Sequence, residues 1–86
     1  MNKLFTDEAW KDYTYWFETD KKQLKHINAL IKEIERSPFE GVGKPELLKY
    51  NLKGFWSRRI DHEHRIVYKI TDDNLVIVSL RFHYEK

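Results

Sequence analysis

Apolar positions in the first 20 residues recur at spacings that are typical of a helix. The short apolar start Asn2–Phe5 is interpreted as an edge strand, and Thr6 or Asp7 can cap a helix that continues to about Glu18. Spacings of three and four connect the members of one apolar set: Ala9, Trp10, Tyr13, Trp16 and Phe17. Because this spacing groups the set on one helix face, we expect its rings to pack in the core and not to bind a ligand.

A second helical pattern follows directly and ends at a loop. Asp20 can cap a helix that extends to Arg36, because Gln23 stands where a capping box needs it. The apolar face of this helix consists of Leu24, Ile27, Leu30, Ile31 and Ile34. Pro38 stops the helix, and residues 37–46 hold two of the three glycines and both prolines. The two helices are therefore expected to form an antiparallel hairpin.

The second half of the chain has the period-two pattern of β-strands. Four segments are predicted as strands: residues 47–52, 55–60, 64–70 and 74–84. No break in composition and no repeat marks a domain boundary, so residues 1–86 are predicted to form one domain. The predicted fold is α+β, an antiparallel sheet with the N-terminal helix pair packed on one face and the other face partly open.

Strand alternation assigns several side chains to a face of this sheet. The apolar residues of segment 64–70 alternate with Arg65, so Arg65 is expected on the open face. In the last predicted strand the same rule groups Arg81 with His83 on one side and leaves Tyr84 on the other. Candidate site residues are therefore expected near the end of the chain.

Positive charge is concentrated in the second half, although the net charge is only +2. Residues 1–43 carry seven Lys/Arg and eight Asp/Glu, whereas residues 44–86 carry nine and six. Four of the five arginines lie there: Arg58, Arg59, Arg65 and Arg81. Since guanidinium groups match phosphate oxygens in pairs, a phosphate-bearing partner is favoured. Arg58 and Arg59 point to opposite faces, so one is expected in the open concavity and the other at the rim.

Bulk composition excludes several classes of protein. Hydrophobic residues make up 41% and charged residues 35% of the chain, which is typical of a soluble globular protein and not of a disordered one. No apolar stretch is long enough to cross a bilayer and no signal-peptide core is evident, so no membrane partner is expected. The chain has no cysteine, which fits a cytoplasmic location.

The residue types of the second half suffice for metal-free cleavage of RNA. Internal attack by a 2′-hydroxyl needs a group that removes its proton, a group that protonates the departing 5′-oxygen, and fixed positive charge near phosphorus. A glutamate, a histidine and several arginines can supply these, although a plain phosphate-binding sheet has a similar composition. His62 and His64 form an H-x-H pair, but no further ligand is evident, so neither a metal site nor a cofactor is expected.

Three segments carry a specific pattern: YWFETDKK at 15–22, SPFEGVGKPELLKYNLKGFWSRRIDHEHRIVY at 37–68 and RFHY at 81–84. They resemble the YoeB toxins of bacterial toxin–antitoxin pairs, within the RelE/ParE superfamily, and the similarity runs from Trp10 to Tyr84. The resemblance implies a microbial-RNase-like, RelE-type fold. It also implies an mRNA interferase that enters the ribosomal A site, cleaves the translated message and so inhibits translation.

The resemblance implies roles for individual residues as well. Glu46 would be the general base and His83 the general acid. Arg65 would stabilise charge on the scissile phosphate, and Tyr84 would shape or stack on the substrate base. The basic residues that would bind the RNA backbone are Lys49, Arg58, Arg59 and Arg81.

The implied partners are mRNA on the ribosome with the rRNA of the A site, a YefM-like antitoxin, and a second toxin copy in a homodimer. A disordered C-terminal segment of the antitoxin would fold over the toxin. Two alternatives remain: a ParE-like toxin that binds a protein target without cutting RNA, and a module that only binds RNA. The combination of Glu46 with His83 and Tyr84 favours the enzyme, because a non-catalytic binder does not need it.

Overall fold

A computed structural model describes residues 1–82 of the chain. Seven main elements follow one another in the order β1-α1-α2-β2-β3-β4-β5, and a short 3₁₀ helix separates β2 from β3. Their bounds are β1 Asn2–Phe5, α1 Asp7–Thr19, α2 Lys21–Arg36, β2 Glu46–Leu47, the 3₁₀ helix Tyr50–Leu52, β3 Trp56–Arg59, β4 Arg65–Thr71 and β5 Asn74–Ser79. Within the sheet the strands lie in the order β1-β5-β4-β3-β2.

The predicted α+β fold, with the helix pair packed on one face of the sheet, is confirmed. Strands β2 to β5 are antiparallel as expected, but β1 lies parallel to β5, with Phe5 beside Ile77. The sheet is therefore mixed, because the chain from α1 to β4 forms the long connection that a parallel pair needs. Neither helix in the described part is long and apolar enough to cross a membrane.

Both predicted helix caps are present. Thr6 Oγ1 accepts the N–H of Ala9 at 3.1 Å, and Asp20 Oδ1 accepts the N–H of Gln23 at 3.0 Å. These oxygens satisfy N–H groups that have no partner inside the helix. The predicted apolar face of α2 is buried along its whole length, so burial against the sheet adds to the stability that the caps give.

The buried face of α1 differs from the predicted one. Ala9, Asp12 and Trp16 are buried, whereas Trp10 and Phe17 are 55% and 54% exposed. The expectation that these two rings pack in the core is wrong. Two overlapping sets at spacings of three and four exist on this helix, and the sheet covers the set that includes Asp12.

The predicted strand 47–52 is also wrong beyond its start. β2 contains only Glu46 and Leu47, and the chain then turns into the 3₁₀ helix. Tyr50 has a φ of 58°, which is left-handed and cannot continue an extended strand.

A β-bulge near the end of β5 changes the course of the chain. Tyr68 pairs with Ile77 and Val67 with Ser79, so Val78 is an extra residue between them. Because Tyr68 and Val67 lie on opposite faces, the bulge turns Ser79 to the open face and returns the next residue to the core. The strand predicted for 74–84 therefore ends at Ser79, and the alternation expected beyond that point is wrong for the described residues. His83 and Tyr84 lie outside the described residues.

The loop between α2 and β2 passes so close to β3 that one position strongly favours glycine. Gly43 has a φ of +85°, and a Cβ there would lie 3.1 Å from Arg58 Cβ and 3.2 Å from the carbonyl oxygen of Arg59. The carbonyl of Gly43 accepts the N–H of Arg59 at 2.7 Å. This bond brings the loop against the strand, so the close approach is part of the fold.

We predict that Gly43→Ala destabilises the protein more than Gly54→Ala does. Gly54 has a similar φ of +94° but no atom within 4 Å of an added Cβ, so its substitution carries only the left-handed strain of about 1–2 kcal/mol. Gly43→Ala adds a steric conflict that costs roughly a further 1–3 kcal/mol. Urea unfolding of both variants measures the difference. Equal losses would show that the loop does not press against β3.

Candidate active site

A row of side chains crosses the face of the sheet opposite the helices. Glu46 pairs with Ser57, Ser57 with Val67 and Val67 with Ser79, so the four residues share one face on four neighbouring strands. Ser57 and Val67 are buried in the middle of this row, whereas Glu46 is exposed at the edge strand. The predicted base thus lies on the open face, where a substrate can reach it.

Two arginines stand opposite each other on the same face. Arg59 pairs with Arg65 across β3 and β4. Arg59 is exposed, and its guanidinium has no hydrogen-bond or ion-pair partner among residues 1–82. Like charges directly opposite each other destabilise a sheet. A bound anion would remove this cost, so the pair has the charge of a phosphate site.

Arg65 is oriented by the turn that precedes its strand. Its Nη1 donates to the carbonyls of Asp61 at 3.0 Å and His64 at 3.1 Å. The expectation that Arg65 lies on the open face is confirmed by its register, since the neighbouring Ile66 belongs to the core. A guanidinium held in this way keeps its remaining donors in a fixed direction, which favours binding of a phosphate in one orientation.

The carboxylate of Glu46 and the guanidinium of Arg59 belong to diagonal neighbours on adjacent strands, and Arg65 lies one strand further. Arg59 is two residues beyond Ser57, the cross-strand partner of Glu46, and diagonal neighbours of this kind are separated by roughly 7–8 Å. A carboxylate can remove a proton from a hydroxyl while the guanidinium groups hold the attached phosphate. This combination suits proton abstraction beside an anion.

Lys69 is another cation on this face, and it is not among the site residues predicted from the sequence. Lys69 follows Arg65 at the spacing that keeps both on one side of β4, and its Nζ lies 4.9 Å from the ring centre of Phe55. The alternation already used for Arg65 could have identified it. Lys49, by contrast, is exposed after the end of β2, so its predicted contact with the RNA backbone stays a prediction.

Arg58 has a structural role and not the predicted phosphate-binding one. It is 0% exposed and lies on the helix face, paired with Ile66. Its guanidinium donates to Tyr68 Oη at 3.1 Å, and the carbonyl oxygens that accept its other hydrogen bonds are those of Ser37, Glu40 and Val42. A group that is buried with its donors engaged cannot meet a substrate phosphate, so the prediction for Arg58 is corrected.

Tyr68 extends the same anchorage of the loop. Its hydroxyl donates to the carbonyl of Pro38 at 2.7 Å and accepts from Arg58 Nε. Burial raises the pKa of Tyr68, although the nearby guanidinium works in the opposite direction. The hydroxyl therefore stays protonated and keeps donating to the loop, whose last residue precedes Glu46.

The segment after β5 packs against α1. The guanidinium carbon of Arg81 lies 3.5 Å from the ring centre of Tyr15, and Arg81 Nε is buried without a hydrogen-bond partner among the described residues. This cation–π contact holds Arg81 beside the helix, and its predicted binding of phosphate stays a prediction. No three His, Asp or Glu residues within 1–82 are grouped so that they could hold a metal ion.

Asp12 is a buried carboxylate in the same region. It is 4% exposed, and its Oδ2 accepts the N–H of Leu80 at 2.9 Å. Burial raises the pKa of Asp12, against the opposing effects of the Leu80 hydrogen bond and the charge of Arg81. The ionised carboxylate is therefore less favourable in the folded protein than in the unfolded one.

Comparisons with known proteins identify the family to which this chain is similar. Residues 5–84 match the family model described as a YoeB-like toxin of bacterial type II toxin–antitoxin systems. Toxin YoeB of Escherichia coli strain K12 is 60% identical over 84 residues, which are 98% of this chain and 100% of the relative. Toxin YoeB of Streptomyces coelicolor is likewise 60% identical over 98% of this chain and 100% of its own length.

Solved structures of YoeB-type toxins are also similar to this chain. A YoeB/ParE toxin from Agrobacterium tumefaciens superposes with a TM-score of 0.95 at 44% identity, over 98% of this chain and 100% of that one. The toxin in a heterotetrameric YoeB–YefM toxin–antitoxin complex from Staphylococcus aureus has a TM-score of 0.90 at 49% identity, over 98% of both chains.

We predict that the same substitution at two neighbouring arginines changes stability to very different extents. Arg58→Met should lower the free energy of unfolding by about 3 kcal/mol or more, because it leaves buried carbonyl groups without donors. Arg59→Met serves as the control and should change stability by less than about 1 kcal/mol, because the residue is exposed. Urea unfolding measures both. A small effect of Arg58→Met would contradict the anchoring role.

We predict that Asp12→Asn changes how stability depends on pH. A raised folded pKa means that the contribution of Asp12 is complete below its unfolded pKa and is lost as pH rises through the folded pKa. The asparagine variant lacks this loss, so its stability relative to wild type should increase from pH 3 towards neutrality.

Urea unfolding at several pH values measures this difference. Asp72→Asn, in an exposed turn, controls for the loss of one negative charge. A constant difference between wild type and Asp12→Asn would contradict the assignment.

Proposed function

Because the chain belongs to the YoeB-like toxins of bacterial type II toxin–antitoxin systems, we propose that it is a ribosome-dependent endoribonuclease. It acts in the cytoplasm as an mRNA interferase, cleaves translated mRNA in the ribosomal A site and thereby inhibits translation. The observation that carries this proposal is the open face of the sheet, where Glu46 is a diagonal neighbour of Arg59 and Arg59 stands opposite Arg65.

In the proposed reaction Glu46 is the general base. Its carboxylate takes the proton of the 2′-hydroxyl on the nucleotide before the scissile bond, and the 2′-oxygen forms a bond to phosphorus. The bond from phosphorus to the 5′-oxygen of the next nucleotide breaks. The products are a 2′,3′-cyclic phosphate and a 5′-hydroxyl, and a DNA strand cannot react because it lacks the attacking hydroxyl.

The remaining roles belong to the cations and to the end of the chain. Arg65 and Arg59 stabilise the negative charge that develops on the phosphate oxygens. His83 donates a proton to the departing 5′-oxygen, and Tyr84 shapes or stacks on the substrate base. His83 follows Phe82, whose carbonyl accepts the N–H of Arg65 at 3.1 Å. Every proton in this sequence moves between side chains and RNA, so the reaction needs no metal.

The ribosome supplies what a shallow surface lacks. Glu46 and Arg59 are exposed on the open face of the sheet, so the chain alone has few contacts with which to orient a flexible RNA strand. In-line attack requires the 2′-oxygen, phosphorus and 5′-oxygen to be aligned, and fixing such a geometry contributes much of the rate. The A site, with its rRNA, holds the message in a defined conformation against the toxin.

We propose two protein partners for the toxin. Solved relatives from Staphylococcus aureus include a YoeB–YefM complex and a YoeB dimer, and this chain is similar to both over nearly its whole length. A YefM-like antitoxin would cover the basic open face with an acidic C-terminal segment that folds on binding. A second toxin copy would form a homodimer.

We predict that Glu46→Ala and His83→Ala each slow cleavage of ribosome-bound mRNA by about 100-fold or more, because each removes one proton transfer. The assay uses ribosomes stalled with a defined codon in the A site and measures single-turnover cleavage by primer extension. Ribosome binding, measured by co-sedimentation, should be retained in both variants. Glu18→Ala removes an exposed carboxylate from α1 and should cleave like wild type.

A message with a 2′-deoxynucleotide before the scissile bond should resist cleavage and still be bound. Wild-type binding to ribosomes without cleavage would instead support an RNA-binding module. Absence of both would support a ParE-like toxin with a protein target. Equal cleavage by wild type and the two alanine variants would overturn the assigned residues.

A further inference from the structure

Residues 80–82 leave β5 and are held by their backbone atoms. The N–H of Leu80 donates to Asp12 Oδ2 at 2.9 Å, and the carbonyl of Leu80 accepts from Trp16 Nε1 at 2.9 Å. Both hydrogen bonds are buried. Side chains of α1 therefore determine where the chain leaves the sheet, three residues before His83.

Phe82 is held on the other side by β4 and the turn before it. Its N–H donates to His64 Nδ1 at 2.8 Å, and its carbonyl accepts the N–H of Arg65 at 3.1 Å. The N–H and the carbonyl of Phe82 are thus bonded to two adjacent residues, His64 and Arg65. Arg65 also provides a guanidinium for the candidate site.

The backbone of Phe82 is strained in this position. Its φ is 60°, a left-handed conformation that is unfavourable for a residue with a side chain. Strain of this kind persists only where the surroundings hold it, and it is concentrated at functional sites. The hydrogen bond that Phe82 donates to His64 and the one that it accepts from Arg65 hold its backbone.

The hydrogen bond from the Phe82 N–H requires one tautomer of the His64 imidazole and one orientation of its ring. Since Nδ1 accepts a hydrogen bond, its proton is on Nε2, which lies 3.5 Å from Glu63 Oε1. The imidazole is 9% exposed and meets the Trp16 ring edge to face, with 4.9 Å between ring centres. Packing and the Nδ1 bond together favour this orientation of the ring.

Asp61 fixes the turn from which His64 projects. Its Oδ1 accepts the N–H groups of Glu63 at 2.8 Å and His64 at 2.7 Å, and its Oδ2 accepts from Gln23 at 2.7 Å. Burial raises the pKa of Asp61, but these hydrogen bonds outweigh it and leave the pKa below its usual range. The turn therefore remains anchored by an ionised carboxylate.

We propose that His64, oriented by Asp61 and Trp16, is a positioning residue for the reaction: it fixes the backbone of Phe82, the residue that immediately precedes the proposed general acid His83 in the chain. This role rests on the proposed function. It also gives the H-x-H pair of the sequence a role other than metal binding. Nδ1 of His64 accepts the N–H of Phe82, and His62 is exposed in the turn. His64 does not touch the substrate in this role, and its effect on the reaction passes through the residue after Phe82.

The test compares two amides that differ in reach. In His64→Asn the side-chain oxygen can occupy the position of Nδ1 and accept from Phe82, whereas in His64→Gln it lies one atom further out, near the position of Nε2. We expect His64→Asn to cleave ribosome-bound mRNA within about threefold of wild type. We expect His64→Gln to lower the rate at saturating toxin by about tenfold or more, because small misplacements of catalytic groups cost rates of this order.

Ribosome affinity and hydrogen exchange of the Phe82 amide distinguish a positioning role of His64 from a general loss of structure. Ribosome affinity should be the same in both variants, so the loss should appear in the saturating rate alone. Hydrogen exchange of the Phe82 amide, measured by NMR on the free protein, should be faster by about tenfold or more in His64→Gln than in His64→Asn. His62→Gln is the matched control from the same turn and should resemble wild type in every measurement.

The outcomes separate this inference from the proposed function. Failure of wild type to cleave ribosome-bound mRNA would contradict the proposed function, while the exchange of the Phe82 amide would still test the hydrogen bond. Equal saturating rates of the two His64 variants, or a loss in affinity alone, would overturn the positioning role. Unchanged exchange of Phe82 in His64→Gln would overturn it as well.

Discussion

Arg58 holds the loop between α2 and β2 against the sheet by donating to the carbonyls of Ser37, Glu40 and Val42. A buried cation is tolerated only when its donors are satisfied, and a loop that lies over a sheet needs partners for its own carbonyl groups. Each therefore depends on the other. Glu46 begins β2 directly after this loop, so the position of the carboxylate on the open face depends on a guanidinium on the opposite face.

The core lies on the helix face of the sheet, and the candidate site lies on the opposite, open face. The helix face carries the apolar core and the buried polar groups that fix the loop and the chain end, including Asp12 and Arg58. The open face carries Arg59 opposite Arg65, a pairing of like charges that by itself destabilises a sheet. The core on the helix face stabilises the sheet, so the fold can retain this unfavourable pair on the other face.

Prediction from the sequence succeeded where one local rule acted alone. The caps at Thr6 and Asp20 and the apolar face of α2 follow from short-range spacing, and the structure has them. Prediction failed where two local patterns competed, as on α1, where Trp10 is exposed although its spacing fits a core. The candidate site shows the same limit. Strand alternation was enough for the face of Arg65. The prediction that Glu46 is the base came from resemblance, because the sequence pattern assigned it to the loop 37–46, which has no periodicity.

What the sequence determined by itself was the set of elements, the α+β class and the concentration of cations in the second half, since propensity, period and charge are local properties. Only the tertiary structure decided which of two adjacent arginines is buried, because alternation gives opposite faces without saying which face the helices cover. It also decided the course of the chain end. The extra residue Val78 in β5 reverses the alternation before residues 80–82, and the contacts that then hold this segment join residues more than 60 positions apart at Asp12 and Trp16. No local pattern contains such a pairing, because it exists only once the strands are in register.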